Sequence, residues 1–317
     1  MARIVAGFAS SHAFALVEPR GWDKMRERTW ARYRSRYGKN APVDPKIAAE
    51  SPEERERRYA RVREGLVFLG ERIREKRPDA LVLIGDDQEE NFKEENLPQI
   101  SLYLGEKVFS TEPAENGRKR GALYPCHTEL AQKLADGLLE REFDLSFSRS
   151  FPNDELLSHA HCQILRTMTP GADIPVVLVF VNAINLPAIT PRRCYRLGQA
   201  IKEIIDGLLS GERIALYASG GLSHFPSSYP FRHYQGPRTL GSISVDFDQR
   251  AVELIARGEG DKLGQLSAQD LLDNGGLEMK NWLVLLGAVG KAVPQLLVYE
   301  AFYSAIMGMG VGYWDLE

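Results

Sequence analysis

The chain has few cysteines, little net charge and no long apolar run, and each absence narrows what the protein can be. Three widely spaced cysteines among 317 residues exclude a disulfide framework and favour a reducing cytoplasm. A formal net charge of -3 is too mild to indicate nucleic acid or a membrane surface as a partner. No apolar run approaches the roughly 20 residues that span a bilayer. The amino terminus predicts a strand, not a signal peptide.

Common nucleotide and hydrolase motifs are also missing. The chain has no Walker-type phosphate loop, no G-x-G-x-x-G after a strand and no G-x-S-x-G elbow. Ser223 beside His224 is not a catalytic triad, because adjacent residues seldom face each other in the required geometry. Hydrophobic residues make up 44% and charged residues 26%, which is typical of a soluble globular protein. The function must therefore come from another arrangement of side chains.

Alternating apolar runs and helical patterns predict an α/β fold with a mostly buried mixed sheet flanked by helices, as a single domain over residues 1–317. Continuous apolar runs over 79–85 and 175–181 are typical of strands covered on both faces. A helix is expected over 52–76 with Ser51 as its N-cap, and further strands over 102–109 and 296–303. The charged, Arg- and Trp-rich residues 19–60 predict an inserted helical lid or arm.

Polar residues follow several predicted strands, where open α/β sheets build their sites. His12 comes just after the first strand. A strand over 214–218 runs into Gly220 and Gly221 and delivers His224. Two adjacent glycines lack the Cβ atoms that would block a tight turn or a close approach. We therefore expect the site at the carboxyl ends of the strands.

Further candidates are His159, Gln88 in an acidic run after the second apolar strand, and Glu278 in the first turn of a predicted helix. Two neutral imidazoles and one carboxylate form the facial site that holds ferrous iron and leaves positions open for substrate and oxygen. Another histidine beside such a site can move protons, because its pKa lies near neutrality. A surface or structural role is the alternative for each histidine, and solvation is the alternative for the acidic run.

Taken together, three segments resemble the class III extradiol ring-cleavage dioxygenases, the family of the protocatechuate 4,5-dioxygenase β subunit. The segments are Ser219 to His224, Ser158 to Gln163, and Glu278 followed by Trp282. The similarity extends over nearly the whole chain. The run that ends in Asp86-Asp87-Gln88 is most similar to the 3-O-methylgallate dioxygenase branch, as is the charged insertion before it.

The resemblance implies a non-haem Fe(II) enzyme that uses O₂ to open a catecholic ring outside its two hydroxyls. It implies that His12 and Glu278 ligate the iron. It further implies that His224 is the acid/base residue and that His159 contacts substrate or oxygen and assists proton transfer. We expect three more residues to lie near the substrate, namely His127, Asn182 and Ser223.

One position departs from the family pattern. Many members carry a second ligating histidine at the end of the second strand, where this chain has Gln88. Three alternatives stay open: Gln88 ligates through its carbonyl oxygen, Asp87 or Glu89 replaces it, or the metal is weakly held or lost. A retained metal is favoured, because the other four site residues are present.

The resemblance implies a small aromatic acid of the gallate, 3-O-methylgallate or protocatechuate type, together with O₂, as the partners. We expect a cytoplasmic homodimer with neither nucleic acid nor membrane as a partner. Two other functions stay open. One is a family member with a different metal or a non-catechol substrate. The other is a metal-poor binding or interaction protein on the same fold.

Overall fold

Eight strands form one mixed sheet with helices on both faces in the computed structural model, which confirms the predicted α/β class. The structure describes residues 1–13, 16, 18–112, 120–151, 157–224 and 243–317. In chain order the strands are β1 (Arg3–Ser10), β2 (Ala80–Gly85), β3 (Ile100–Tyr103), β4 (Lys107–Glu112), β5 (Arg120–Pro125), β6 (Ser146–Ser148), β7 (Val176–Val181), β8 (Arg213–Ser219), β9 (Leu296–Phe302) and β10 (Met307–Asp315). Strands β4 and β5 form a separate hairpin.

The helices cover the two faces of the sheet. In chain order they are α1 (Trp22–Tyr37), α2 (Pro45–Ala49), α3 (Pro52–Lys76), α4 (Thr128–Glu140), α5 (His159–Met168), α6 (Pro191–Gly207), α7 (Val245–Ala256), α8 (Gly260–Leu263), α9 (Ala268–Asp273) and α10 (Met279–Val289). Helix α3 has the predicted bounds, and Ser51 and Glu54 form a capping box that defines its amino end. Within the described ranges, every helix is too short or too polar to span a bilayer.

Parallel neighbouring strands place several carboxyl ends on the same side of the sheet, which we call its carboxyl edge. The order of strands is β6-β3-β7-β2-β8-β1-β10-β9. Strands β7, β2, β8 and β1 are parallel neighbours, and the antiparallel strands β3 and β10 flank them. All residues of β2 and β7 are buried, which explains their continuous apolar runs. Loops after β1, β2 and β8 therefore start side by side.

Two apolar clusters fill the space between the sheet and the helices, one on each face. Helices α6 and α10 share one face and meet backbone to backbone. A Cβ atom added at Gly198 would lie 1.8 Å from the carbonyl oxygen of Val284, and one at Gly287 would lie 2.0 Å from that of Tyr195. Only glycine permits this approach. The contact sets the spacing between α6 and α10.

The charged insertion contains α1 and α2, and it is attached to the sheet by an aromatic side chain. Trp22 is fully buried and stacks on Phe302 with ring centroids 4.5 Å apart. Arg26 donates to the carbonyl oxygen of Ser304 at 2.5 Å. Ser304 lies in the turn before Met307, which forms a β-bridge with His224. The insertion therefore packs beside the carboxyl edge of the sheet.

One strand prediction differs from the structure, and the longest strand was not predicted. The strand expected over 102–109 is divided, because β3 ends at Tyr103 and β4 begins at Lys107 in a different sheet. Strand β10 was not predicted, since glycine is depleted in strands and this strand carries three. A Cβ atom at Gly310 would lie 3.2 Å from the ring of Trp282, so one of these glycines makes room for an indole.

Candidate metal centre

Three buried side chains bring potential metal ligands together at the carboxyl edge of the sheet. His12 follows β1, Asp86 follows β2, and Glu278 is the N-cap residue of α10. One ligand atom from each lies within 4.8 Å of the others. An imidazole nitrogen and two carboxylate oxygens suit a divalent transition-metal ion.

Glu278 is the centre of the hydrogen-bond network. Its Oε2 accepts from the backbone N–H of Gly221 at 2.8 Å, and its Oε1 accepts from Nε2 of His224 at 3.0 Å. A Cβ atom at Gly220 would lie 2.6 Å from the carbonyl oxygen of Glu278, and one at Gly221 would lie 2.8 Å from the ring of His224. The glycine pair therefore permits the turn after β8 to approach α10.

His12 is a neutral imidazole at pH 7. Its Nδ1 lies 2.9 Å from Oγ of Ser219, and its Nε2 lies 3.6 Å from Oε2 of Glu278. Burial lowers the pKa of His12 to about 4, although the charge of Glu278 acts in the opposite direction. A neutral ring keeps one nitrogen lone pair, which is what a metal ion requires.

His224, in contrast, is protonated and positively charged at pH 7. Burial alone would lower its pKa, but the contact with Glu278 raises the pKa of His224 to about 9. Its Nδ1–H donates to the carbonyl oxygen of Leu222 at 2.8 Å, and its Nε2–H donates to Glu278. Burial would raise the pKa of Glu278, but the charge of His224, and that of His12 once it is protonated at low pH, outweigh burial and lower this pKa.

His159 lies beside His12 and is held by an acidic partner. The two imidazole rings meet edge to face, with centroids 4.9 Å apart. Nδ1–H of His159 donates to Oε1 of Glu90 at 2.5 Å. Burial opposes protonation, but Glu90 raises the pKa of His159 to about 9. Glu90 also accepts from the backbone N–H of Gln88 at 2.5 Å, so the acidic loop after β2 positions this histidine.

The acidic loop contributes a residue that sequence reasoning missed. Asp86 belongs to the group of potential ligands, and the amide of Gln88 donates to Oε1 of Glu278 at 2.9 Å and to Oδ2 of Asp86 at 3.2 Å. Asp87 accepts from the backbone N–H groups of Asn91 and Phe92 instead, and Glu89 is exposed. Burial and then the charge of Glu278 raise the pKa of Asp86 to about 8. The sequence signal for Asp86 was its position directly after the fully buried strand β2.

The three residues expected near the substrate lie in different surroundings. His127 caps α4 and donates to Glu212 at 2.7 Å. Its backbone N–H bonds Val176, the first residue of β7, so the structure places His127 at the opposite edge of the sheet. This corrects the expectation for His127, because the hairpin before α4 returns the chain to the amino end of β7.

Asn182 and Ser223 do lie at the carboxyl edge, but their side chains have structural partners. The amide of Asn182 makes two hydrogen bonds to the backbone of Asn185, at 2.8 Å and 2.9 Å, and holds its own loop. The hydroxyl of Ser223 donates to the buried carboxylate of Asp248 at 2.6 Å. Both residues therefore shape the turns beside the cluster, and neither forms a described hydrogen bond to His12, Asp86 or Glu278.

Comparison with known families identifies the fold and the chemistry. Residues 43–312 match the family model described as the catalytic LigB subunit of aromatic ring-opening dioxygenase. The chain belongs to the LigB family. LigB proteins are metal-dependent extradiol dioxygenases, so the enzyme class suggested by the sequence motifs is confirmed.

Two named dioxygenases are 25% and 31% identical to this chain over the aligned residues. A 2,3-dihydroxyphenylpropionate/2,3-dihydroxicinnamic acid 1,2-dioxygenase of Klebsiella pneumoniae is 31% identical over 281 residues, which cover 75% of this chain and 86% of that protein. The same-named enzyme of Burkholderia vietnamiensis is 25% identical over 308 residues, or 84% of this chain and 91% of the relative.

Two other matches are more limited. A gallate dioxygenase of Pseudomonas putida is 27% identical over 187 residues, which cover 57% of this chain. That match spans half the length of the gallate dioxygenase. The crystal structure of an uncharacterized protein from Escherichia coli K12 covers 98% of this chain and 99% of its own, with a TM-score of 0.50 and 14% identity. This last likeness concerns the fold alone.

Proposed function

We propose that this LigB protein is an Fe(II)-dependent extradiol dioxygenase that opens a catecholic aromatic acid of the gallate, 3-O-methylgallate or protocatechuate type with O₂. The observation that carries the proposal is the buried group of His12, Asp86 and Glu278, whose ligand atoms lie within 4.8 Å of one another. His224 and His159 flank this group on separate turns. Family membership supplies the reaction class.

The donor set fits an iron ion in composition. His12, Asp86 and Glu278 would hold it, with one neutral imidazole and two carboxylates, and Asp86 would release its proton on binding. A bound ferrous ion would supply a Lewis acid and a source of electrons where the diol and dioxygen meet. The two carboxylates make this set more anionic than two histidines and one carboxylate. Gln88 remains close enough to both carboxylates to hold their orientation.

His224 is the proposed acid and base for the substrate hydroxyl. Its Nδ1–H is used on the carbonyl oxygen of Leu222, so Nε2 is the atom that faces Glu278 and the site. In its neutral form Nε2 can take a proton from the hydroxyl, and in the protonated form it can return one to a product oxygen. Strand β8 and the glycine pair hold the ring in place.

His159 is the proposed second proton-transfer residue. Its side chain is 45% exposed, whereas His12 beside it is buried, so His159 is the accessible imidazole of this pair. The hydrogen bond to Glu90 orients the ring. His127, which lies at the opposite edge, has no part in this proposal.

We also propose that the enzyme serves aromatic catabolism as a cytoplasmic homodimer. The three cysteines are free, which suits a reducing compartment. The net charge of -3 gives no reason to expect nucleic acid as a partner.

Oxygen uptake tests the proposed reaction. The protein is purified without air, loaded with Fe²⁺ and given protocatechuate, gallate, 3-O-methylgallate and 2,3-dihydroxyphenylpropionate in turn. We expect one O₂ to be consumed for each ring opened, with both oxygen atoms of ¹⁸O₂ recovered in the product. An iron-loaded protein that consumes no O₂ with any catechol would contradict the proposal. Protein that retains no divalent metal would favour a binding role on the same fold.

A further inference from the structure

Ser219 connects two parts of the candidate site through a single oxygen atom. It is the last residue of β8, and its side chain is fully buried. Its hydroxyl donates to the carbonyl oxygen of Ala160 in α5 at 2.6 Å. The same Oγ lies 2.9 Å from Nδ1 of His12. The loop that carries His12 is thus joined to the helix that begins at His159.

The hydrogen count at Ser219 determines which nitrogen of His12 is protonated. A serine hydroxyl has one hydrogen and two lone pairs, and a carbonyl oxygen can only accept. The hydrogen of Ser219 is therefore used on Ala160, and Oγ must accept from its second partner. That partner is Nδ1 of His12, which accordingly carries the N–H.

The other ring nitrogen of His12 is free of a hydrogen bond to Glu278. Nε2 lies 3.6 Å from Oε2, which exceeds the ordinary N–H···O distance. A neutral imidazole with its hydrogen on Nδ1 keeps a lone pair on Nε2. We infer that Ser219 is a positioning residue that fixes this tautomer, so that Nε2 of His12 is the metal-ligating atom. The inference rests on the proposed role of His12 as a ligand.

A neighbouring serine provides a matched control. Ser10 pairs with Ser219 in the β1–β8 register, is equally buried and also makes a side-chain hydrogen bond, to the hydroxyl of Tyr217 at 2.7 Å. It makes no described contact with the ring of His12. Ser10→Ala thus removes a similar hydroxyl from the same layer of the sheet without touching the tautomer.

The tautomer is measured directly by long-range ¹H–¹⁵N NMR of the imidazole rings, in full-length protein treated with a chelator. The signals of His12 are assigned from their loss in His12→Gln. We expect Nδ1 to be protonated and Nε2 to be unprotonated in the wild type and in Ser10→Ala. Ser219→Ala should show both tautomers in exchange. A wild-type His12 with its hydrogen on Nε2 would overturn the inference without any variant being needed.

Metal affinity gives a second readout, with Fe²⁺ titrated under anaerobic conditions. Ser219→Ala should bind Fe²⁺ roughly 10- to 100-fold more weakly, the usual effect of losing the partner of a ligating histidine. Equal affinity in Ser219→Ala and the wild type, or an equal loss in Ser10→Ala, contradicts the inference. Failure of the wild type itself to bind Fe²⁺ contradicts the proposed function, while the NMR result still decides the role of Ser219.

Discussion

The adjacent parallel strands β1 and β8 each deliver a histidine to the same carboxylate, yet the two histidines differ in charge. His12 and His224 are both nearly buried, at 4% and 6% exposure. The pKa of His12 is lowered to about 4, and that of His224 is raised to about 9. Burial is common to both, so it does not explain the difference.

The difference comes from distance to Glu278 and from the second partner of each ring. Nε2 of His224 lies 3.0 Å from Glu278, within hydrogen-bond distance, whereas Nε2 of His12 lies 3.6 Å away. His224 also donates to a backbone carbonyl, and His12 faces a serine hydroxyl. The turn after β1 thus offers a nitrogen lone pair on His12, and the turn after β8 offers the protons of His224. A metal-dependent acid/base site needs both.

Removing the shared carboxylate should have the largest effect. In Glu278→Ala we expect the iron to be lost and ring opening to fall by about 10³-fold, equivalent to several kcal/mol of transition-state stabilisation. Iron per chain and O₂ uptake are measured together. Glu212→Ala, which removes the carboxylate beside His127 at the opposite edge, serves as the control and should keep both. Equal iron in Glu278→Ala and the wild type would show that Glu278 is not a ligand.

Replacing the two histidines one at a time separates binding from proton transfer. His224→Ala should retain iron and lose turnover by roughly 10²- to 10⁴-fold, the range expected for a general acid/base residue. His12→Ala should lose iron, because a ligand is removed. Iron content and single-turnover rates distinguish the two variants. The comparison fails if His224→Ala loses as much iron as His12→Ala.

Two adjacent carboxylates in the loop after β2, Asp86 and Asp87, allow a test with a smaller expected effect on iron binding. Asp86→Asn should weaken Fe²⁺ binding by roughly 10- to 100-fold, because an amide is a weaker ligand than a carboxylate. Asp87→Asn should leave Fe²⁺ affinity unchanged. It should lower the free energy of unfolding by about 1–3 kcal/mol, since Asp87 accepts hydrogen bonds from the backbone of its own loop. Calorimetric titration and denaturant unfolding measure the two quantities, and equal affinities in both variants would exclude Asp86 as a ligand.

A third buried histidine, His161, shows how burial changes a histidine pKa where there is no direct contact with Glu278. His161 accepts from Ser158 and donates to Val179, and burial lowers its pKa to about 3. Between pH 6.5 and 3 the unfolded chain binds a proton that the folded chain does not, so stability falls as the pH falls. From pH 7 to 5 this loss should be about 2 kcal/mol.

His161→Gln removes the titrating group and should flatten the pH dependence of unfolding by that amount. Urea denaturation of chelator-treated protein at pH 5, 6 and 7 supplies the free energies of unfolding, and the slope with pH is compared, not the absolute stability. An unchanged slope would show that His161 is not held neutral by burial.

Elements with local signals were predictable from the sequence. Helix α3 has a capping box at Ser51 and a regular apolar face, and its bounds match the expected ones. The run over 175–181 was long and apolar enough to indicate a buried strand, which is β7. The turn after β8 was recognisable because two glycines and a histidine follow an apolar strand. In each case the decisive residues are neighbours in sequence.

Features that depend on distant partners were not predictable in the same way. His127 precedes a helix, as His12 follows a strand, but only the order of strands shows that these residues lie at opposite edges. The acidic run after β2 resembled a solvated loop, whereas Asp86 is fully buried against Glu278 and Asn281. The family motif pointed to Gln88. Only the structure shows that Asp86, two residues earlier, lies beside His12 and Glu278.

The backbone contact between α6 and α10 leaves little freedom in the position of the site. Side chains that pack together can be exchanged for others of different length, but Gly198 and Gly287 touch main-chain carbonyl oxygens and leave nothing to exchange. The spacing of the two helices is therefore set by atomic radii. Because Glu278 is the N-cap residue of α10, the distance between its carboxylate and His12 depends on the position of α6, a helix that contributes no ligand to the candidate site.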